Sequence, residues 1–287
     1  MSRSLLFTLI ILFVCTLEAY ATPSAEESMK MLVAGNERFA AGKMTHPNTD
    51  KARLDLAATK SQGNFAYATI VSCSDSRVPV EFIFDSGIMD LFVIRIAGNV
   101  CDTDEIGSVE YGTRHVNTPV LVVMGHTQCG AVTAVCKELT GHGHPLEKNI
   151  PQLVDNIIPA VKKVQTAFPQ ASAENLITRS IDENVWQGIE SIFLRSAAVR
   201  ELAKSGKLKV VGAIYELETG KVRWLPEAKV AELLKKADED PACEKEAMAG
   251  GGHSVATAVP EVKTTEKVQH EEKAQHEVKD THKEEKH

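Results

Sequence analysis

The chain is 287 residues long, 43% hydrophobic and 25% charged, a composition that supports a buried core and excludes a disordered or collagen-like chain. Its 32 Lys and Arg against 39 Asp and Glu leave a net charge of −7, which argues against nucleic acid as the partner. No internal stretch reaches the roughly 18 apolar residues that a membrane span needs, so no span is expected in the mature chain.

At the N-terminus, Arg3 precedes an apolar run from Leu5 to Cys15, and Ala19-Tyr20-Ala21 follows. A basic start, a short apolar core and small residues at the two peptidase positions read as a secretory signal over residues 1–21. A lipoprotein site at Cys15 is rejected, because the bulky Val14 precedes it. The mature chain is expected to begin at Thr22 and to be exported, either periplasmic or secreted.

Residues 22–240 are expected to form one domain. Met29 to Ala41 has the apolar spacing of an amphipathic helix. Four runs, Ala66 to Val71, Leu91 to Ala97, Val120 to Met124 and Leu208 to Tyr215, are rich in β-branched residues and lack polar alternation. Each reads as a strand buried on both faces. Glu105 to Val116 and Ala131 to Leu139 read as helices on either side of the third strand. Asn149 to Phe168 and Asp182 to Lys204 carry apolar residues at helical spacing, with Pro151 suited to a first turn. This alternation predicts an α/β fold, with a mostly parallel central β-sheet flanked by helices. Glu218-Thr219-Gly220 is a turn, after which Val222 to Leu225 is expected to return as an antiparallel edge strand.

Residues 241–287 are expected to be a disordered charged tail, with Gly250-Gly251-Gly252 as its hinge. Residues 261–287 hold eight Asp and Glu, six Lys and four His, with almost nothing to bury against the entropy of ordering. A loose repeat spaces His270, His276 and His282 six apart, about 600° around a helix, so they would not share a face. A solvated tail outweighs weak divalent-metal capture as its reading.

The residues with chemistry gather at two strand ends, where ligands collect in open parallel sheets. The first strand leads into Cys73-Ser74-Asp75-Ser76-Arg77-Val78, and the third into His126-Thr127-Gln128-Cys129-Gly130, just before a helix. Two thiolates and an imidazole suit Zn²⁺ better than a hard cation. His126 and Cys129 are three apart, so a tight turn can aim both at one ion. No fourth soft donor is nearby, which leaves a position for water and matches catalytic zinc. Along an extended segment Asp75 and Arg77 share a side, so Arg77 can grip the carboxylate bidentately. Asp75 can then orient a zinc-bound nucleophile, or swing in as a fourth ligand and close the site. The sequence leaves both open. Taken singly, each residue has an ordinary reading as a buried thiol, a satisfied histidine or a surface ion pair. Their joint placement is what points to a site.

At these residues the chain resembles the β-class carbonic anhydrases, and within them a bacterial, exported, plant-like branch. The family pattern C-x-D-S-R followed by H-x-x-C is met by Cys73, Asp75, Ser76, Arg77, His126 and Cys129. The likeness extends through Gly35-Asn36-Glu37-Arg38-Phe39, the segment from Phe92 to Val100, Ser108-Val109-Glu110-Tyr111-Gly112 and Gly206-Lys207-Leu208. The resemblance implies reversible hydration of CO2 to bicarbonate and a proton, by zinc-hydroxide attack, on Zn²⁺ held by Cys73, His126 and Cys129. It implies that Asp75 orients the nucleophile, that Arg77 holds Asp75, and that Val78 and Gly130 line the substrate pocket. It further implies a homodimer or tetramer, with each site partly lined by the neighbouring subunit.

Ile70 stands where bicarbonate-regulated members carry a Trp beside an Arg equivalent to Arg95, which favours an open, unregulated site. Gln62 and Asn64 both lie near the position of a substrate-binding Gln in the plant-like branch. Hydrolysis of carbonyl sulfide or carbon disulfide at the same zinc, and secreted zinc binding without catalysis, are the alternative functions. For Cys101, Cys136 and Cys243, one disulfide with a free thiol and buried reduced thiols are both open. His115, His142 and His144 are candidate proton shuttles, the latter two in an expected exposed loop.

Overall fold

The computed structural model describes residues 22–243. The expected signal segment, and the tail from residue 244 onward, lie outside the described residues. Five strands, β1 (Ala68–Ser72), β2 (Leu91–Arg95), β3 (Val120–His126), β4 (Lys209–Tyr215) and β5 (Val222–Trp224), form a sheet in the order β2-β1-β3-β4-β5. Every neighbouring pair is parallel except β4–β5, which is antiparallel. The helices are α1 (Ala25–Ala40), α2 (Lys51–Thr59), α3 (Val80–Ile83), α4 (Thr103–Glu110), α5 (Gly130–Leu139), α6 (Ile150–Val154), α7 (Ile158–Ala167), α8 (Ala173–Arg195), α9 (Ala197–Lys204) and α10 (Glu227–Asp238).

Period-two alternation along the central strands divides the core into two layers. Val71, Leu121, Val123, Val210 and Ile214 join the helical residues Val135, Val161, Val185, Ile189 and Leu233. Ile70, Val122, Met124, Val211 and Ala213 join Leu32 of α1 and Ile83 and Phe84 at α3. With helices on both faces, the central strands have no solvent side, which is why they read as unbroken apolar runs.

The structure departs from the sequence expectations at identifiable places. The strand at Leu91 is not buried on both faces. It lies at the sheet edge, with half-buried residues and an exposed Arg95. The helix expected over 149–168 is two helices joined by a 3₁₀ turn at Asp155–Ile157, because Pro159 lacks the N–H that a continuous helix needs and opens α7 instead. The helix expected over 182–204 starts earlier, at Ala173, and breaks at Ser196, whose extended backbone lets its hydroxyl accept from the Val199 N–H. The helix expected over 105–116 is α4 followed by a π-helical turn at Tyr111–His115. The periodicity did not reveal α2, α3 or α10, although α10 buries Val230, Leu233 and Ala237.

The Gly35-Asn36-Glu37-Arg38-Phe39 motif serves packing. A Cβ at Gly35 would lie 1.9 Å from the Phe84 carbonyl oxygen, so only glycine lets α1 approach there. Asn36 Nδ2 donates to the carbonyls of Ile83 (3.2 Å) and Gly220 (2.9 Å), and its Oδ1 accepts from the Val222 N–H at 2.8 Å. Arg38 Nε donates to Asp85 Oδ2 at 2.6 Å, and the same carboxylate accepts from the Thr45 and His46 N–H groups and the Thr45 hydroxyl. Burial alone would raise the Asp85 carboxyl, but these donors outweigh it and hold it at about 2.

Because its folded pKa is depressed, Asp85 contributes stability above its ordinary value of 3.8, and that contribution is lost as pH falls through about 2. Asp85→Asn is expected to lower unfolding free energy at neutral pH by about 3 kcal/mol. In urea denaturation across a pH series, the gap between variant and parent should close on acidification. A gap that stays constant down to the acid end would remove the carboxylate from this role.

Candidate metal centre

Strand register positions the centre. Ser72 at the end of β1 aligns with Met124 of β3, so Cys73 leaves its strand beside the last residues of β3, Gly125 and His126. The Thr127 N–H donates to the Tyr215 carbonyl at 3.0 Å, and the Thr127 hydroxyl accepts from the Leu217 N–H at 3.0 Å. Gln128 then adopts a left-handed φ of 57°, which turns the chain so that Cys129 becomes the N-cap of α5. One ligand atom each from Cys73, His126 and Cys129 therefore lie within 4.8 Å of one another, all three residues being buried.

Each donor is held from behind. The Gly98 N–H donates to Cys73 Sγ at 3.3 Å, and the Gly98 carbonyl accepts from Asn184 Nδ2 of α8 at 2.8 Å. His126 Nδ1 lies 2.9 Å from the Thr127 carbonyl oxygen. A carbonyl only accepts, so Nδ1 carries the proton and the free lone pair is on Nε2. Cys129 is the N-cap of α5, so the N–H groups of Val132 and Ala131 in the first turn face its sulfur and favour the thiolate. The neighbouring Cys129 thiol, together with the Gly98 N–H, holds the Cys73 thiol below its ordinary value. The same pairing, together with burial, pushes Cys129 up.

Asp75 stands beside this group without entering it. Arg77 Nε and Nη2 donate to its Oδ1 (2.9 Å) and Oδ2 (2.7 Å), and the Arg77 N–H donates to Oδ1 at 2.9 Å. Arg77 Nη2 also reaches the Gln128 carbonyl at 3.3 Å, which links the two motif segments. The Arg77 guanidinium holds the Asp75 carboxyl well below the usual carboxylate range. Asp75 Oδ2 is 3.9 Å from His126 Nε2.

The buried atoms show that a metal fits. His126 Nε2 has no hydrogen-bond partner, and its residue is 0% exposed. Such an orphaned lone pair is costly in a folded interior, and a metal ion resolves it. Two thiolates and an imidazole form a zinc donor set.

The other expected residues are distributed unevenly. Gly130 is exposed and faces open space, whereas Val78 is fully buried beside Ile70 and Val80, with its N–H donating to the Asp75 carbonyl at 3.0 Å. Gln62 and Asn64 form a short turn before β1, at the amino end of the sheet. The length of β1 separates them from the cysteines by about 17 Å, so neither reaches the site of its own chain. His115 lies before β3, stacked on Tyr111. His142 and His144 follow α5, about 15 Å beyond its first turn. His144 instead lines a cavity of about 610 Å³ with Leu139 and Ile158. Cys101 and Cys136 are free thiols, all three of Cys101, Cys136 and Cys243 are buried, and burial pushes the Cys101 thiol up to about 12. Gly98 and Asn184 support the centre without having been singled out from the sequence. Gly98 acts through its backbone N–H, and its place in the Phe92–Val100 segment was the only available signal.

Comparison with known proteins agrees with this geometry. Residues 68–222 match the carbonic anhydrase family model. Carbonic anhydrase 2 of Mycobacterium tuberculosis is 34% identical over 192 residues, covering 67% of this chain and 88% of that protein. The carbonic anhydrase of Mycolicibacterium smegmatis is 32% identical over 193 residues, covering 67% and 89%. The β-carbonic anhydrase CafA of the fungal pathogen Aspergillus fumigatus shares the fold, with a TM-score of 0.56 at 24% identity over 74% of this chain and 99% of that one. The chain belongs to the β-carbonic anhydrases, enzymes whose general reaction is the hydration of CO2.

Gly98 offers a direct test of the support behind Cys73. Its φ is +73°, and an added Cβ would meet Ile157 Cδ1 at 2.7 Å and Ala131 Cβ at 3.1 Å. Gly98→Ala is expected to weaken zinc affinity by about tenfold or more through the misplaced N–H, measured by chelator competition. Unchanged affinity in a folded variant would show that this N–H does not orient the sulfur.

Proposed function

We propose that this chain catalyses the reversible hydration of CO2 to bicarbonate and a proton, with zinc held by Cys73, His126 and Cys129. The observation that carries the reading is the arginine-gripped Asp75 carboxylate, 3.9 Å from the orphaned His126 Nε2. Zinc bound there supplies a Lewis acid that lowers the pKa of a water molecule, so that a nucleophile is available near neutral pH.

The chain's own groups do the rest. Asp75 stays ionised across the working pH range, so it is purely an acceptor. With zinc bound, its Oδ2 would accept a hydrogen bond from the nucleophile's O–H and orient it toward CO2. The Arg77 contact with the Gln128 carbonyl keeps that acceptor at a fixed distance from the donors. Gly130 leaves space for a small linear substrate at the start of α5. Val78 is fully buried and supports the Asp75 turn through its N–H, which donates to the Asp75 carbonyl. Were Asp75 to leave Arg77, it could serve as a fourth ligand and close the site; the pairing with Arg77 supports the open reading.

The assembly we infer is a homodimer or tetramer. Edge strand β2 exposes an unpaired flank with Phe92, Val93 and Ile94 half-buried, and beside it the Tyr111 ring is 52% exposed, 5.9 Å from Phe92. Export follows from the sequence of residues 1–21, and among the described residues no helix is long and apolar enough to cross a membrane.

Stopped-flow CO2 hydration with parallel metal analysis tests the reaction. Asp75→Asn is expected to lower kcat/KM by about a hundredfold or more while zinc stays bound. Chelation should abolish the rate, and added zinc should restore it. Faster turnover of carbonyl sulfide or carbon disulfide than of CO2 would replace the substrate, and bound zinc without any hydration would leave only metal binding.

For export, a Gram-negative host expressing the full chain is expected to yield periplasmic protein whose first residue is Thr22. Recovery of an uncleaved cytoplasmic chain would overturn it.

A further inference from the structure

Where β1 ends, its backbone pairing to β2 runs out. The last registered pair is Ser72 with Arg95. Beyond it, the Ile96 N–H donates to the Ser72 carbonyl at 3.0 Å, and the Ser74 N–H reaches the Ile96 carbonyl only at 3.3 Å. The Arg95 side chain then takes over from the ladder. Its Nε donates to the Cys73 carbonyl at 3.2 Å and its Nη2 to the Asp75 carbonyl at 2.8 Å. One rigid, planar fork thus spans the two carbonyls on either side of Ser74. Arg95 is exposed at the sheet edge, so core packing does not require this pose.

The two arginines hold different parts of Asp75. Arg77 holds the carboxylate, and Arg95 holds the peptide that carries it. Asp75 Oδ2 is already within 3.9 Å of His126 Nε2, so only a small displacement separates the carboxylate from the donor group. A shift of the Cys73–Asp75 backbone could supply that displacement. Cys73 is anchored through its sulfur, and Arg95, together with the Val78 N–H on the same Asp75 carbonyl, anchors the other end of the dipeptide link.

We infer that Arg95 is a positioning residue, whose fork on the Cys73 and Asp75 carbonyls keeps Asp75 paired with Arg77 and off the metal. The inference rests on the zinc reading above and adds a residue that touches neither substrate nor metal. An Arg is suited to it because two carbonyls must be held at once, which a lysine ammonium on a flexible stem does less well.

The test uses the Co²⁺-substituted protein and azide as the probe of an open coordination position, followed by visible absorption. The parent protein is expected to bind one cobalt per chain and to show azide-dependent spectral change. In Arg95→Met, if Asp75 occupies the metal in about nine molecules of ten, apparent azide affinity falls about tenfold. The double variant Arg95→Met/Asp75→Asn should recover affinity, because an asparagine amide is a poor ligand, and Arg95→Lys should fall between parent and Arg95→Met. Parent-like azide affinity in Arg95→Met overturns the inference and leaves the zinc reading intact. A loss that the double variant does not recover also overturns it, since the effect would then be general distortion. Failure of the parent to bind cobalt overturns the metal reading, and this inference with it.

Discussion

A fully buried imidazole nitrogen without a partner sets the terms for its surroundings. His126 Nε2 faces two sulfurs in an interior where an orphaned lone pair is expensive, and a cation bound there would complete the arrangement. Each nearby negative group also has its own counterpart. Cys73 receives the Gly98 N–H, Cys129 receives the first turn of α5, and Asp75 is matched by Arg77. The carboxylate thus remains close while its charge is claimed elsewhere.

The sheet order is what brings these groups together. From β1 the chain passes first to β2 on one side and then to β3 on the other. The connections leaving the carboxyl ends of β1 and β3 therefore diverge, and a crevice opens between them where the strand order reverses. Parallel pairing puts both carboxyl ends at the same edge, and the alignment of Ser72 with Met124 sets Cys73 level with the start of the His126 turn. A slip of one residue would send one ligand to the opposite face of the sheet.

Much of this was legible in the sequence, for a physical reason. Strands covered on both faces, such as β3 and β4, leave continuous apolar runs, and side-chain ligands carry their identity in the residue name. The failures have an equally physical origin. Edge strand β2 has the same composition as a central strand, and only the tertiary arrangement shows that one flank is unpaired. The break at Ser196 depends on a capping geometry that an apolar periodicity running past it conceals. Gly98 contributes a backbone N–H, which every residue but proline possesses, and its partner Asn184 lies 86 positions away. Gln62, His142 and His144 have suitable chemistry, but strand and helix lengths carry them to the wrong ends of their elements. Sequence proximity to a motif does not place a residue in its site.

The arrangement around Asp75 contains an opposition that explains its investment in arginine. A carboxylate 3.9 Å from a zinc-type donor set has two favourable destinations, the metal and a guanidinium. Ligation to the metal would fill the position that chemistry needs. A bidentate guanidinium pair competes through two directed, charge-assisted bonds, whereas a lysine would offer a point charge around which the carboxylate could pivot. Even so, a side-chain pair alone leaves the supporting backbone free to carry the carboxylate inward. Between Cys73 and Asp75 the pairing to the neighbouring strand thins to one backbone bond, from the Ser74 N–H to the Ile96 carbonyl. The contacts of Arg95 add to it, on the Cys73 carbonyl and, beside the Val78 N–H, on the Asp75 carbonyl.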